Sequence, residues 1–239
     1  VYADPAALAE QIATWSAAGT PFYAVPDCED NADLDLIVER FGHLGLLTGG
    51  SGILEPLGRR VAGTGRRIVA QTPPVQGRSI ILVGSCSQAS FSQIGGYRSG
   101  GGTVIRLDAR KLASGENTAA SVWADAPKQG DLLFCSATTR EEMIPADELP
   151  GVDGLIENTL AEIAALAQLD GVRKIIAAGG ETSGAVTRAL GHDAFRIGPI
   201  AAPGVPVLVP LTAPDSRLVL KSGNFGATSF FADTIALLS

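Results

Sequence analysis

Apolar positions along the chain follow two patterns, which are short continuous runs and longer stretches with helical periodicity. Runs such as residues 78–84, 175–178 and 218–220 are typical of strands that are buried on both faces. Residues 152–168 show the periodicity of an amphipathic helix. Because strands and helices alternate, the pattern predicts an α/β fold in which a mainly parallel sheet is covered by helices on both faces.

The same pattern predicts further elements on either side of a break. Before the break it predicts, in chain order, a helix at 5–18, a strand at 21–25, a helix at about 31–41, a strand within 45–52 and a helix at 53–61 that tolerates Pro56. After the break it predicts strands at 103–112 and 130–139. The break itself is residues 64–77, which lose periodicity and contain two adjacent prolines. We therefore expect two domains, 1–72 and 73–239.

Three of the predicted strands end in a glycine turn that leads towards a helix. The turns are GSCS at residues 84–87, GGETSG at 179–184 and KSGNFG at 221–226. Ligands of parallel sheets bind beyond the carboxyl ends of the strands, where these turns would gather. Thr182 or Ser183 is expected to cap the helix that follows the second turn.

Together the three turns predict an anion-binding site. They combine backbone N–H groups, hydroxyl and amide side chains and the positive end of a helix dipole, all of which suit phosphate oxygens. The chain contains neither a G-x-x-x-x-G-K-[ST] sequence nor a strand-borne G-x-G-x-x-G sequence, so the mode of binding differs from that of a P-loop or a dinucleotide fingerprint. The alternative is that the glycines only permit tight turns.

Composition excludes several classes of protein. A 46% apolar content and a mean hydropathy of +0.23 indicate a globular chain with a sizeable core. Eighteen Lys and Arg residues against 25 Asp and Glu residues give a net charge of −7, so we expect no nucleic-acid partner. The long stretch without charge at 197–214 carries five prolines, and we expect no membrane span.

The cysteines and histidines argue against several kinds of site. Cys28, Cys86 and Cys135 are odd in number and widely spaced, which argues against a disulfide framework or a zinc site and fits a reducing cytoplasm. Two histidines, His43 and His192, are too few for a multi-histidine metal centre. The chain begins with valine and without a leader pattern, so we expect an excised fragment or a processed product.

Four segments in order resemble the four-carbon acid sugar kinases, which use ATP to phosphorylate sugar acids such as threonate, erythronate and 3-oxo-tetronate. The matching segments are VGSCSQAS, AAGGETSGAVTRALG, PGVPV at 203–207 and LKSGNFGATSFF. The resemblance implies that residues 73–239 form the nucleotide-binding domain, with ATP and Mg²⁺ as cofactors. The implied nucleotide-contacting residues are Ser85 or Ser87, then Gly180, Glu181, Thr182 and Ser183, and Gly223 with Asn224. From the turns themselves we add Gly179 and Lys221 as candidate nucleotide-binding residues.

The amino-terminal part departs from the family pattern. Family members carry an Asp-Asp-x-Thr-Gly motif in their first domain, and this chain has none. Residues 1–72 resemble only the end of that domain, including a GGSG turn at 49–52. The resemblance therefore implies that the sugar-acid pocket and the catalytic base lie outside this chain. Kinase activity is expected of the complete protein and not of this chain alone. The catalytic residues and the oligomeric state, a homodimer included, stay open.

Four single residues have two interpretations each. Lys221 either neutralises phosphate charge or ends a strand in solvent. Glu181 either approaches Mg²⁺ through water or caps the helix with its carboxylate, the simpler role. Cys86 is either a nucleophile with a lowered pKa or, as we favour, structural. Phe225 stacks on adenine or packs in the core.

Two other functions compete with the kinase hypothesis. A non-catalytic module could sense a nucleotide or a sugar phosphate with the same turns. A thiol or serine hydrolase could use Cys86 or Ser87, although no G-x-S-x-G elbow supports it.

Overall fold

The computed structural model describes residues 4–19, 21–62 and 72–239, and the chain divides into two compact units, Val1–Ile68 and Val69–Ser239. Most of the predicted junction, residues 64–77, lies outside the described residues, so the division at residue 72 stays a prediction. No helix in the described ranges is long and apolar enough to cross a membrane.

The regular elements among the described residues of the first unit are all helical. Its elements are α1 (Pro5–Ala17), α2 (Asn31–Phe41), a 3₁₀ turn (Ser51–Ile53) and α3 (Leu54–Ala62). The side chains of Asp4 and Asp30 cap α1 and α2 by accepting hydrogen bonds from first-turn N–H groups. Pro56 lies in the first turn of α3, where the missing N–H removes no helical hydrogen bond.

The two strands predicted in the first unit are wrong. Residues 21–25 and 45–50 form no strand, because no neighbouring strand among the described residues pairs with them. Their apolar side chains have a different role, since Phe22 and Leu47 pack as coil residues against the small core of Ile12, Ile37 and Phe41.

The second part of the described chain, residues 72–239, contains one seven-stranded sheet. The strands are β1 (Ser79–Val83), β2 (Thr103–Arg106), β3 (Leu132–Cys135), β4 (Lys174–Ala178), β5 (Phe195–Ala202), β6 (Val205–Pro210) and β7 (Arg217–Lys221). Their order is β2-β3-β1-β4-β7-β6-β5. The first five in that order are parallel, while β6 pairs antiparallel with β7 and with β5. The predicted α/β class with a mainly parallel sheet is confirmed.

Helices cover both faces of this sheet. They are α4 (Gln88–Ser99), α5 (Ala109–Ser114), α6 (Ala119–Asp125), α7 (Val152–Leu169), α8 (Gly180–Leu190) and α9 (Phe230–Leu238), with a 3₁₀ turn at Arg140–Glu142. Ile80 and Leu82 of β1 face α5, α6, α7 and α8, whereas Ile81 and Val83 face α4 and α9. Each face therefore has its own core, as a strand buried on both sides requires.

Two strand predictions in this unit need correction. Only Thr103–Arg106 of the stretch 103–112 is a strand, because the Asp108 side chain accepts hydrogen bonds from the N–H groups of Arg110 and Lys111 and starts α5 there. Of the stretch 130–139, only Leu132–Cys135 is extended. The helix predicted at 152–168 is confirmed as α7.

Candidate functional site

The three glycine turns lie side by side at the carboxyl edge of the sheet. They follow β1, β4 and β7, which are neighbours and parallel, so that Val83, Ala178 and Lys221 share one register position. Backbone hydrogen bonds join them. The N–H groups of Gly84 and Ser85 both donate to the Ala178 carbonyl at 3.1 Å. The Gly179 N–H donates to the Lys221 carbonyl at 2.9 Å.

Close packing explains three of the glycines in these turns. A Cβ atom on Gly84 would lie 2.1 Å from Thr182 Oγ1, and one on Gly223 would lie 2.2 Å from Ser85 Oγ. Gly179 has φ = 128°, a conformation that side chains with a Cβ rarely adopt. These three positions need glycine for the fold itself, whatever the turns bind.

Gly180 differs from the other three. It is exposed, it has no positive φ, and no atom lies within 4 Å of the position that its Cβ would take. Nothing in the described fold requires glycine there. A glycine with open space above it, at the first position of a helix, leaves room for a ligand to approach the backbone closely.

Helix α8 begins one turn earlier than the predicted caps would place it. Gly179 is its N-cap, so Thr182 and Ser183 lie inside the helix, and the prediction that one of them caps it is wrong. A glycine cap has no side chain, and the N–H groups of Gly180 and Glu181 have no hydrogen-bond acceptor in the described part of the chain. The amino terminus of α8 therefore retains free donors together with its positive dipole.

The remaining polar groups near α8 have distinct environments. Thr182 is buried against the Gly84 turn. Glu181 is exposed in the first turn of α8, and no side chain among the described residues caps this helix, so the interpretation of Glu181 as a helix-capping carboxylate is wrong. The Ser183 hydroxyl is enclosed and has no hydrogen-bond partner among the described residues. An enclosed hydroxyl without a partner is uncommon, and a bound group could satisfy it.

The serine turn connects β1 to the turn after β7. The Ser87 hydroxyl accepts from the Ser90 N–H at 3.1 Å, which caps α4, and donates to the Gly223 carbonyl at 2.8 Å. The Ser85 hydroxyl donates to Ser87 Oγ at 3.3 Å. Both hydroxyls, which the sequence predicts as phosphate donors, thus also hold the two turns together.

Sequence reasoning missed two side chains of α4 that take part in this connection. Ser90 is buried and its hydroxyl lies 3.2 Å from the Gly223 carbonyl, while the Gln93 amide donates to the carbonyls of Phe225 and Gly226, both at 2.9 Å. The spacing of residues 87, 90 and 93 places three polar side chains on one helix face, which was the available signal. Phe225 packs against the core on the α4 and α9 side of the sheet, as its simpler interpretation predicted.

Lys221 does not have the solvent-exposed environment that one of its two interpretations predicted. It is 1% exposed, so it does not end its strand in solvent, and its ammonium donates at 3.0 Å to the carbonyls of Ser222 and Gly223. Burial lowers its pKa to about 8. Asn224 of the same turn is exposed.

A cavity of about 680 Å³ opens at the same edge of the sheet. Gly84, Cys86 and Glu181 contribute to its wall from the predicted turns. The rest of the wall comes from the end of β2 with the start of α5, from the segment between β3 and α7, and from the start of α7, regions that sequence reasoning did not associate with a site. Apolar side chains of this part are Ile144, Val152 and Ile156.

The charged groups of the cavity are partly neutralised by one another. Glu142 accepts hydrogen bonds from the N–H and hydroxyl of Thr138, which lower its pKa, and it lies 3.4 Å from Arg106. Burial raises the pKa of Glu157, with further contributions from the nearby carboxylates of Glu181 and Asp153. No group of three potential metal ligands occurs in the ranges that the structure describes.

Cys86 lines the cavity but lacks the properties of a nucleophile. Burial, and secondarily Asp153, raises the pKa of its thiol, so the thiolate is disfavoured. The histidine of this unit, His192, instead contacts Gln168 and Thr212. The structural interpretation of Cys86 agrees with this environment, and the hydrolase hypothesis loses its activated thiol.

Comparison with known proteins identifies the family. The family described as the nucleotide-binding C-terminal domain matches residues 80–231, a range that includes all three turns. A 3-oxo-tetronate kinase of Cupriavidus necator is 38% identical over 240 residues, which cover 97% of this chain and 55% of that protein. The chain belongs to the four-carbon acid sugar kinase family. It contains the nucleotide-binding carboxyl-terminal domain of that family.

Further members of the four-carbon acid sugar kinase family agree. A 3-oxo-tetronate kinase of Pseudomonas fluorescens is 37% identical and covers 90% of this chain and 52% of that protein. The crystal structure of a Haemophilus influenzae protein from the DUF1537 family matches with a TM-score of 0.67 and 31% identity, over all of this chain and 60% of that one. The chain spans about half the length of the curated relatives it matches.

Proposed function

We propose that this chain is the ATP-binding carboxyl-terminal part of a kinase that phosphorylates four-carbon sugar acids. The observation that carries the proposal is the convergence of three turns at one edge of the sheet, where the turns after β4 and β7 have free backbone donors beside the open space above Gly180. Because relatives are named 3-oxo-tetronate kinase, a 3-oxo-tetronate is the first acceptor to test. Threonate and erythronate are the alternatives.

The phosphate groups would bind at the start of α8 and at the turn after β7. The N–H groups of Gly180 and Glu181 supply donors aligned with the helix dipole, and the Ser183 hydroxyl is free to join them. Gly223 and Asn224 supply further N–H groups. With a net charge of −7, the chain attracts no polyanion at long range, so these short-range donors must provide the affinity.

The adenine base of ATP and the Mg²⁺ ion would bind in separate parts of the cavity. The apolar side chains of Ile144, Val152 and Ile156 suit a purine ring. Mg²⁺ is usually held by one or two carboxylates, phosphate oxygens and water, so it would arrive with ATP and need no cluster of protein ligands. Glu181 is the carboxylate we propose to approach it through water, where Mg²⁺ neutralises phosphate charge.

The complete protein would divide the reaction between two domains. Residues 73–239 hold and orient ATP, while residues 1–72 are the end of the domain that binds the sugar acid. Phosphoryl transfer depends mainly on positioning and charge stabilisation, which requires both domains together. We further propose a cytoplasmic location and leave a homodimer as the assembly to test.

Calorimetric titration of the purified chain with ADP and with ATP, in the presence and absence of Mg²⁺, tests the nucleotide site. We expect saturable binding of both nucleotides and no turnover of the three sugar acids by the chain alone. Absence of nucleotide binding by the folded chain would contradict the proposal.

A non-catalytic module that senses nucleotides is the second candidate, because the acceptor site lies outside this chain. Phosphoryl transfer separates the two functions. The complete protein is expected to phosphorylate at least one of the three acids, and a complete protein that binds ATP without transferring phosphate would favour the sensing module.

A further inference from the structure

Three side chains converge on one backbone carbonyl, that of Gly223. Lys221 Nζ lies 3.0 Å from this oxygen, Ser87 Oγ 2.8 Å and Ser90 Oγ 3.2 Å. A carbonyl oxygen has two lone pairs, so three donors exceed what satisfying a buried acceptor requires. The position of this peptide group is therefore held more firmly than packing alone demands.

Lys221 has no acidic partner to explain its burial. Among the described residues it forms no salt bridge, and its ammonium contacts the carbonyls of Ser222 and Gly223 and lies 5.8 Å from the centre of the Phe230 ring. Burying a charge without a counter-ion is unfavourable for stability. A methionine of similar length would avoid that cost, which suggests that the charge serves a purpose other than stability.

The geometry of the peptide groups indicates that purpose. The peptide bonds of this turn are trans, so the N–H of each peptide group points opposite to its C=O. The carbonyls of Ser222 and Gly223 point to the buried ammonium, and the N–H groups of Gly223 and Asn224 therefore point away from it. Neither N–H has an acceptor in the part of the chain that the structure describes.

We propose that Lys221 is a positioning residue for the nucleotide site: its buried ammonium holds and polarises two peptide groups, so that the N–H groups of Gly223 and Asn224 form a fixed pair of donors for a phosphate group. Hydrogen bonds to a carbonyl strengthen the N–H of the same peptide as a donor. Lys221 does not touch the phosphate. This inference rests on the proposed function, that is, on nucleotide binding at these turns.

The protonation state of Lys221 offers a direct test. Burial alone lowers its pKa to about 8, and the groups packed against it are the two carbonyls and the Phe230 ring. A neutral amine still donates hydrogen bonds, but it loses the charge assistance that roughly doubles their strength. The affinity for ADP should therefore fall several-fold, without being abolished, as pH rises from about 7 to about 9.

The experiment compares ADP titrations of the wild-type chain, Lys221→Met and Lys174→Met. Lys174 is a matched control, since it is also buried with a lowered pKa but lies at the opposite end of the sheet, where it donates to Ser239 Oγ at 2.9 Å. We expect Lys221→Met to lose about tenfold in ADP affinity near pH 7 and to show no fall between about pH 7 and about pH 9. Lys174→Met should keep both the wild-type affinity and the wild-type pH profile.

A second readout distinguishes positioning from direct contact. In the ligand-free protein, the amide resonances of Gly223 and Asn224 should shift in Lys221→Met, because the two peptide groups lose their donor before any ligand is present. If Lys221→Met does not fold, Ser90→Ala takes its place. It should weaken ADP binding about threefold while retaining the wild-type pH profile, because the ammonium is still present.

The outcomes separate this inference from the proposed function. If the wild-type chain binds no ADP, the proposed function and this inference both fail. If it binds ADP but its affinity is flat across the pH range, or if Lys221→Met binds as tightly as the wild type, only this inference is overturned. Unchanged amide resonances in Lys221→Met overturn it as well.

Discussion

At the scale of single residues, the glycines of the turns separate into two kinds. Gly84 and Gly223 allow neighbouring side chains to approach within distances that no Cβ tolerates, and Gly179 has a positive φ. Gly180 has neither constraint. Sequence motifs cannot distinguish these cases, because the space around a glycine depends on residues that are distant in the chain, such as Thr182 beside Gly84.

Replacing Gly180 by valine should abolish or strongly weaken ADP binding while leaving the fold intact. The new side chain enters open space in the protein and obstructs only a ligand that approaches the start of α8. Titration with ADP and thermal unfolding measure the two effects. Gly95→Val is the control, because Gly95 is also exposed and helical with open space around it, and this variant should bind ADP normally.

Gly84→Ala should instead lower the stability of the fold. Its Cβ would collide with Thr182 Oγ1, and overpacking of this kind costs about 1–3 kcal/mol of unfolding free energy. Chemical denaturation measures the loss. A Gly84→Ala variant as stable as the wild type would show that the turn relaxes freely.

The buried Lys221 also makes stability depend on pH. Its pKa is about 8 in the folded chain and near its ordinary value of 10.5 in the unfolded chain, so the unfolded state binds more protons between these values. The unfolding free energy of the wild type should therefore rise relative to that of Lys221→Met as pH increases from about 8 towards about 10. Denaturant unfolding of both proteins at several pH values tests the sign, which is opposite to the pH effect expected on ADP affinity.

At the scale of elements, strand order brings the site together. β1, β4 and β7 are separated in sequence but adjacent in the sheet, and their parallel direction places three turns at one edge. Helix caps then fix where each following helix begins. Ser87 caps α4 and Gly179 caps α8. Because no side chain in the described ranges caps α8, its first N–H groups stay free.

A cap away from the site should affect stability alone. Thr118 and Ser121 form a capping box at the start of α6, in which the Thr118 hydroxyl accepts from the Ser121 N–H at 3.1 Å. Thr118→Ala should cost about 1 kcal/mol of unfolding free energy. ADP affinity should not change, and a parallel loss of affinity would indicate that α6 is coupled to the site.

At the scale of the whole molecule, the proposed site belongs to one compact unit. Both cores of the sheet and all three turns lie within Val69–Ser239. The described residues at the start of this unit are held to it by hydrogen bonds, since Arg217 Nη2 donates to the Pro73 carbonyl at 2.8 Å and the Val75 N–H donates to the Leu238 carbonyl at 3.0 Å.

A shortened chain that begins at Thr72 should therefore fold and bind ADP with the affinity of the longer one. It keeps the Pro73 and Val75 contacts and every residue of the three turns. Circular dichroism and ADP titration check the two parts of this prediction. Loss of ADP binding by a folded shortened chain would show that the first unit contributes to the nucleotide site.

Sequence alone determined the features that depend on local pattern. Apolar runs and helical periodicity predicted the α/β class, the central strands and α7, and the motifs at 84–87, 179–184 and 221–226 identified the family. The strands predicted at 21–25 and within 45–52 were wrong, because an apolar run becomes a strand only if another strand pairs with it.

Tertiary structure decided everything that depends on which groups become neighbours. It showed that Lys221 is buried against two carbonyls, that Gly179 and not Thr182 or Ser183 caps α8, and that Ser90 and Gln93 hold the turn after β7. It also revealed the cavity wall from the end of β2 with the start of α5, the segment between β3 and α7, and the start of α7. Burial, pKa and hydrogen-bond partners are set by residues far apart in the chain, so no local pattern contains them.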